Sequence, residues 1–249
     1  MIRKRIIPTL LIDNGNLIKT VRFCSPKYIG DPINAVRIFN EKGVDELNLI
    51  DKNAFKMGIN FNLLENISNE AFMPLSYGGG IKSVDEVEKI LRIGFEKVIL
   101  GSLFFTHPQI IYKLIERFGS QAIVIALDYK YSKNDFYCFF QNGTINSRLI
   151  LKNSIDLCNK LGVGEIILTN IDKEGTMEGL DCDTYKLFRS NSNCQVVING
   201  GAKDFTEVFN LLNSNSVDAV SASSIFIYYG KKKAILINYP GEAFFERGI

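Results

Sequence analysis

Residues 73–102 read MPLSYGGGIKSVDEVEKILRIGFEKVILGS, and this stretch contains one complete structural unit. Residues 73–77 form a short apolar run of strand composition. The run ends in Gly78-Gly79-Gly80. Ser83 stands three residues before Glu86, the capping-box spacing that opens a helix. Residues 84–93 then repeat apolar side chains at helical spacing, and Gly94 stops them. Residues 97–100 make the next strand, which runs into Gly101-Ser102. The strands are apolar on both faces, as a parallel sheet covered by helices requires.

The same unit recurs along the chain. Strands are predicted at 5–11, 46–50, 73–77, 97–100, 122–128, 165–169, 195–198 and 219–221, with helix-like segments between them. Asp31-Pro32 opens a helix over 33–41, and Gly43 ends it. Eight βα units predict a (β/α)8 TIM barrel forming one domain over 1–249, with a doubly wound sheet as the alternative. The halves also match each other. Gly78-Gly79-Gly80-Ile81-Lys82 with Gly101-Ser102 is echoed by Gly200-Gly201-Ala202-Lys203 with Ala222-Ser223, and the two serines stand 121 residues apart in 249. Gly43-Val44-Asp45-Glu46-Leu47 resembles Gly162-Val163-Gly164-Glu165-Ile166. These parallels predict internal half-barrel duplication. Two stretches exceed a plain unit. Residues 20–30 read as a long loop, and 129–147, with Asn142-Gly143, as a small β-hairpin.

Composition excludes several classes. A net charge of +2 with no basic run longer than Lys231-Lys232-Lys233 argues against a nucleic-acid partner. No apolar stretch approaches the roughly 20 residues of a membrane span. The five cysteines show no C-x-x-C spacing and no leader precedes them, so reduced thiols in the cytoplasm are expected. The single histidine, His107, precedes Pro108 at a helix entrance. A histidine triad or histidine-rich metal site is therefore not expected, and no cofactor is implied.

The residues that remain suggest chemistry at both ends of the strands. Glycines at strand ends let backbone N–H groups approach an anion, and a helix start adds donors. Gly79 and Gly80 with Gly101 and Ser102 would make one phosphate site, and Gly200 and Gly201 with Ala222 and Ser223 the other. The alternative is that these glycines only shape tight turns. Asp128 ends the most apolar strand, at the face where barrel enzymes hold their active sites. Apolar surroundings would raise its pKa and suit it to proton transfer, unless it only fixes a loop. Asp51 and Asp172 occupy similar strand-end positions. Thr169 and Asn199 are placed to bond a substrate, and Lys19 to meet a phosphate or sugar oxygen. Arg5, Glu46, Lys97 and Glu165 stand at strand starts, so two cations and two anions should gather at the barrel base. They would form either a structural plug or a gated passage.

These residues resemble the cyclase subunit of imidazole glycerol phosphate synthase, over nearly the whole length from Lys4 to about Phe226. Its most specific matches are Asp45-Glu46-Leu47, Gly78-Gly79-Gly80-Ile81, Ala126-Leu127-Asp128, Ile171-Asp172-Lys173-Glu174-Gly175-Thr176 and Asn199-Gly200-Gly201-Ala202. The resemblance implies a (β/α)8 barrel of the carbon–nitrogen lyase class. It also implies a heterodimer with a glutaminase subunit docked on the N-terminal face, and ammonia travelling up the barrel to a two-phosphate small molecule. It assigns the ammonia gate to Arg5, Glu46, Lys97 and Glu165, and it matches Lys19 and the phosphate positions.

Two departures qualify that assignment. The family has two catalytic aspartates at equivalent strand ends; the second matches Asp128, and the first falls on Leu11. Leucine moves no proton, and losing a general acid or base costs about 10²–10⁴-fold in rate. Asp13 lies two residues on, on the same side by alternation, about 6–7 Å away along a strand. Past Phe226 the chain also lacks the family's long last helix, with Pro240 and Gly241 opposing one. Three readings follow. The first is a cyclase-like subunit that passes ammonia to another acceptor, resembling paralogues tied to sugar amidation for lipopolysaccharide or flagellar glycan, where a sugar amidotransferase uses the ammonia. The second is a true cyclase of histidine biosynthesis. The third is a related sugar-phosphate isomerase, against which Leu11 also counts.

Overall fold

The computed structural model describes residues 4–230 and 232–240. Lys231 and residues 1–3 and 241–249, the two ends of the single domain expected over 1–249, lie outside the described residues. Eight strands form the barrel: β1 (Arg5–Asp13), β2 (Leu47–Asp51), β3 (Leu75–Gly78), β4 (Lys97–Leu100), β5 (Ile123–Ser132), β6 (Glu165–Asn170), β7 (Gln195–Asn199) and β8 (Ala219–Ala222). Each pairs in parallel with the next, and β8 pairs with β1, so the sheet closes without a barrel edge. The doubly wound alternative is thereby removed.

The helices between strands begin where the sequence signals place them. Asp31 accepts the Asn34 N–H at 2.8 Å and opens Pro32–Glu41. Ser83 and Glu86 exchange both capping-box bonds at the head of Val84–Ile93, and Gly94 closes that helix in the left-handed region. The second half repeats this start 121 residues on. Asp204 accepts from Glu207 N–H at 2.8 Å, and Glu207 accepts from Lys203 N–H at 2.8 Å, as Glu86 does from Lys82 at 2.6 Å. A carboxylate in the first helical turn is favoured by the helix dipole in both halves.

Two apolar layers hold the fold. The larger lies between the outer barrel face and the helices. The smaller lies inside the barrel: Ile7, Ile99, Val124, Ile167, Val197 and Ala219, with Ile50 and Ala126 packed on it. Period-2 alternation assigns neighbouring residues on one strand to the two layers. This interior is filled by side chains, as a barrel of eight strands requires.

Residues 20–30 are not a loop. The chain turns at Asn14-Gly15, both at positive φ (49° and 78°), and Asn16–Val21 returns antiparallel on β1. Cys24–Gly30 then pairs with it as the second arm of a hairpin. Asn-Gly between apolar runs is a hairpin signal, and the buried Ile12, Leu17 and Ile18 are what fold it back. The 129–147 segment is larger than a hairpin. β5 extends to Ser132, and Asp135–Phe140 and Ile145–Ile150 add antiparallel to it in turn. Past Phe226 the described residues form only the short pair Tyr228–Tyr229 with Ala234–Ile235. Tyr239 stacks on Phe226, which also meets Phe39 and Phe205 edge-on or tilted. No helix among the described residues is long and apolar enough to cross a membrane.

Candidate functional site

At the N-terminal end of the strands the four predicted charges meet. Arg5 donates to Glu46 at 2.6 Å and to Glu165 at 2.5 Å. Lys97 lies 2.8 Å from Glu46 and 3.7 Å from Glu165, closing the ring. Gln195 and Ser76 add bonds to Arg5 and Glu46 at 2.9 and 3.3 Å. Glu46 and Glu165 are buried, so each depends on its cations for compensation. Burial alone would raise the Glu46 pKa, but Lys97 and Arg5 together hold it below the ordinary value. Burial likewise opposes the charge on Arg5, and Glu165 and Glu46 outweigh it and push that pKa up. Directly above lies the apolar layer headed by Ile7, Ile99 and Ile167.

The opposite end opens into two adjoining cavities that share Ile50, Lys52, Ile99, Ala126, Asp128 and Asn142 in their walls. The first half's glycines and Ser102 line one cavity; Gly200, Gly201, Ala222 and Ser223 line the other. The structure therefore brings each predicted phosphate set together in its own cavity. The tight-turn role is present too. Gly79 and Gly201 sit at φ 123° and 100°, and a side chain there would overlap the backbone of Asp51 or of Gly179. The two sets differ in their hydroxyls. Ser223 and Ser224 keep buried side-chain oxygens without a partner, whereas Ser102 lies at the mouth, partly exposed. His107 stands between two helices, closing Ser102–Thr106 and preceding Pro108–Phe118 as its spacing predicts.

Asp128 stands where both cavities meet. Burial is the main influence on its carboxyl and pushes the pKa up to about 7; a hydrogen bond with Thr169 opposes this and the charge of Glu174 adds to it. Asn199 donates to Thr169 at 3.1 Å, extending the network. Leu11 lines the same cavity as Asp128. Asp13 does not line either cavity: β1 carries it past the rim, where its carboxylate accepts from Asn53 at 2.6 Å. Geometry therefore does not support Asp13 as a stand-in for the aspartate that the resemblance expects at Leu11. Asp51 caps the backbone N–H groups of Asn53 and Ala54 at 3.1 Å each, and burial raises its pKa. Asp172 is exposed in a turn.

Lys19 lines the second cavity but is not free within it. It is buried and ion-paired with Glu174, which also accepts from the Thr20 hydroxyl and the Phe23 N–H. Glu174 thus ties the tip of the first hairpin to the loop after β6. Nothing in the sequence joins residues 155 apart, and Glu174 was not among the predicted site residues. Thr9, Asn48 and Ser221 were also missed. Counting by two from Arg5 and Glu46 would have found the first two. Among the described residues, no group of three or more His, Cys, Asp or Glu side chains could hold a metal ion.

Fold and site together define a closed (β/α)8 barrel with a charged ring at its base and a duplicated, glycine-lined mouth. The chain belongs to the histidine biosynthesis protein family, whose pattern it matches over residues 5–233. Among its relatives is a protein of Leptospira interrogans, 42% identical over 248 residues and covering 96% of both chains. Another, from Vibrio vulnificus, is 43% identical over 244 residues, covering 96% of this chain and 94% of that one. Both carry a provisional name as imidazole glycerol phosphate synthase subunit HisF or hisF3. A protein of Natranaerobius thermophilus, named imidazole glycerol phosphate synthase subunit HisF, is 33% identical over 244 residues, covering 97% of both.

Proposed function

We propose that this chain is a synthase subunit of the cyclase type that receives ammonia from a glutaminase partner on its N-terminal face, and that it has given up the cyclisation step itself. The observation that carries this reading is Leu11 in the cavity wall opposite an intact charged ring. Of the two catalytic aspartates that the resemblance implies only Asp128 is present, Glu174 in the same cavity being held by Lys19 and Asp51 by the backbone it caps, while the groups suited to gating a small neutral molecule are present and paired. The ammonia then serves another acceptor, for which we infer a sugar amidated by a separate amidotransferase during surface-polysaccharide or flagellar glycan synthesis. The two glycine-lined cavities hold a two-phosphate small molecule or phosphate anions in this reading, with Gly79, Gly80, Gly101 and Ser102 on one side and Gly200, Gly201, Ala222 and Ser223 on the other. Lys19, held by Glu174, keeps further N–H donors for such a ligand. Purified protein supplied with excess ammonia and the two-phosphate ribonucleotide should show no cyclisation, and robust turnover would sink the reading. Recovery of a glutaminase subunit on affinity purification of the tagged chain supports the conduit; its absence counts against it.

A working cyclase is the second reading. Asp128, with a pKa of about 7, is poised to exchange a proton near neutral pH, and the Natranaerobius relative carries the unqualified synthase name. The same assay separates the two.

A further inference from the structure

The barrel interior is not uniform above the ring. On β1, β4, β5, β6 and β7 the inward side chains of the next layer are Ile7, Ile99, Val124, Ile167 and Val197. On β2 the sequence goes from Glu46 in the ring directly to Asn48, one inward step of about 6–7 Å along the strand. No apolar side chain separates the two on that strand. Asn48 is 2% exposed and stands beside Thr9 in register. Its amide N–H donates to the Thr9 hydroxyl at 3.4 Å, and that hydroxyl lies 2.6 Å from the hydroxyl of Ser221. On the next strand Ser76 bonds Glu46, and the inward position above it is Gly78, which carries no side chain. Polar side chains therefore stand at successive inward positions of one wall of the barrel, beside an apolar layer on the other walls.

The polar wall has unused capacity. A carboxamide offers two donors and an acceptor with two lone pairs. The bond to Thr9 is the one side-chain hydrogen bond of Asn48 among the described residues, and it is long. The remaining amide groups border the upper cavity, whose wall includes Thr9 and Asn48. A buried polar group left with such capacity is suited to a small hydrogen-bonding guest. The guest that fits is neutral. Asn48 and its hydroxyl neighbours carry no charge, and a cation stripped of water there would be uncompensated. Ammonia, with one lone pair and three N–H groups, matches a carboxamide flanked by hydroxyl oxygens.

We propose that Asn48, with Thr9 and Ser221, is the stepping site at which ammonia leaves the charged ring and enters the upper cavity. This rests on the conduit reading above and adds the route. The test uses the source organism deleted for this chain and complemented with variants, fed glutamine labelled with ¹⁵N in its amide, with label read in the surface glycan. Asn48→Val and Thr9→Val should each lower incorporation about tenfold, the scale of one lost hydrogen bond to a transferred group. Asn48→Ser should retain most of it, and added ammonium chloride should restore label-independent amidation in every variant. Lys97→Ala runs alongside. If Lys97→Ala abolishes incorporation while Asn48→Val leaves it intact, the stepping site is refuted and the conduit stands. If neither variant changes it, or the wild type transfers no label, the conduit reading fails and the stepping site with it. A loss in Asn48→Val that ammonium does not repair places the defect in folding or in the upper chemistry, and overturns the proposal as well.

Discussion

The two ends of this barrel are carried by the same strands and are left in opposite electrostatic states. At the N-terminal end two cations and two carboxylates interlock, and burial is tolerated because each charge has partners. At the C-terminal end Leu11 and Asp128 line one cavity, where Glu174 is paired with Lys19 and Asp128 keeps its proton up to a pH of about 7. The difference separates what the frame retains from what it has changed. The two mouths carry matching glycines, while the strand ends beside them carry leucine at position 11 and aspartate at position 128. The ring, by contrast, draws Arg5 and Lys97 from one half's strands together with Glu46, and needs Glu165 from the other half to be neutral.

The strongest test lies at the C-terminal end. Leu11→Asp places a second aspartate in the cavity wall that Asp128 lines. If the mouth is otherwise competent, ammonia-dependent cyclisation should rise by about 10²–10⁴-fold, measured as product formation from the two-phosphate ribonucleotide. No gain would mean that the cavities have diverged beyond that position. The next effect is at the bottom. Arg5→Met leaves Glu46 and Glu165 with Lys97 alone and should cost about 3–5 kcal/mol of stability in urea unfolding, as breaking buried pairs does. Lys97→Ala should cost less, because Arg5 still bridges both carboxylates, so a coupling defect in that variant would report on passage rather than folding.

A third expectation uses pH. The Asp128 carboxyl is raised from 3.8 to about 7, so the folded state binds its proton more tightly than the unfolded chain between those values. Stability from this group is full below about pH 4 and is lost as pH rises to about 7. Asp128→Asn should therefore stabilise the protein relative to wild type at pH 8, with the advantage fading on acidification to pH 4, as followed by thermal unfolding. Glu46 behaves oppositely: its lowered pKa gives stability at neutral pH that is lost on acidification. The smallest effect is on motion. Glu174→Gln removes the charge that holds Lys19, and amides of the hairpin Asn16–Val21 and Cys24–Gly30 should exchange faster while the barrel strands hold their protection.

Much of this was readable in the chain because it is local. Ser83 and Glu86 lie within one helical turn, so their spacing alone announces the cap that forms. The eight apolar runs, the glycines after them and the charges before them each depend on neighbours a few residues away. The hairpin at 14–30 was also local, and Asn14-Gly15 marked it; the mixed polarity of 20–30 concealed the second arm, five of whose seven residues are exposed. The fate of Asp13 was harder. Alternation put it on the same side as Leu11, but where β1 crosses the rim is set by its pairing with the strands on either side.

What the sequence by itself determined is the repeated βα unit, its doubling and the four charges of the base. All follow from side-chain type at short spacing. Only the tertiary structure decided which distant groups meet: Lys19 with Glu174, Thr9 with Ser221 and Asn48, and Asp128 with Thr169. The reason is that barrel closure and strand register bring together residues as far as 212 positions apart. Contacts at that range depend on the packing of the whole sheet, which no local pattern encodes.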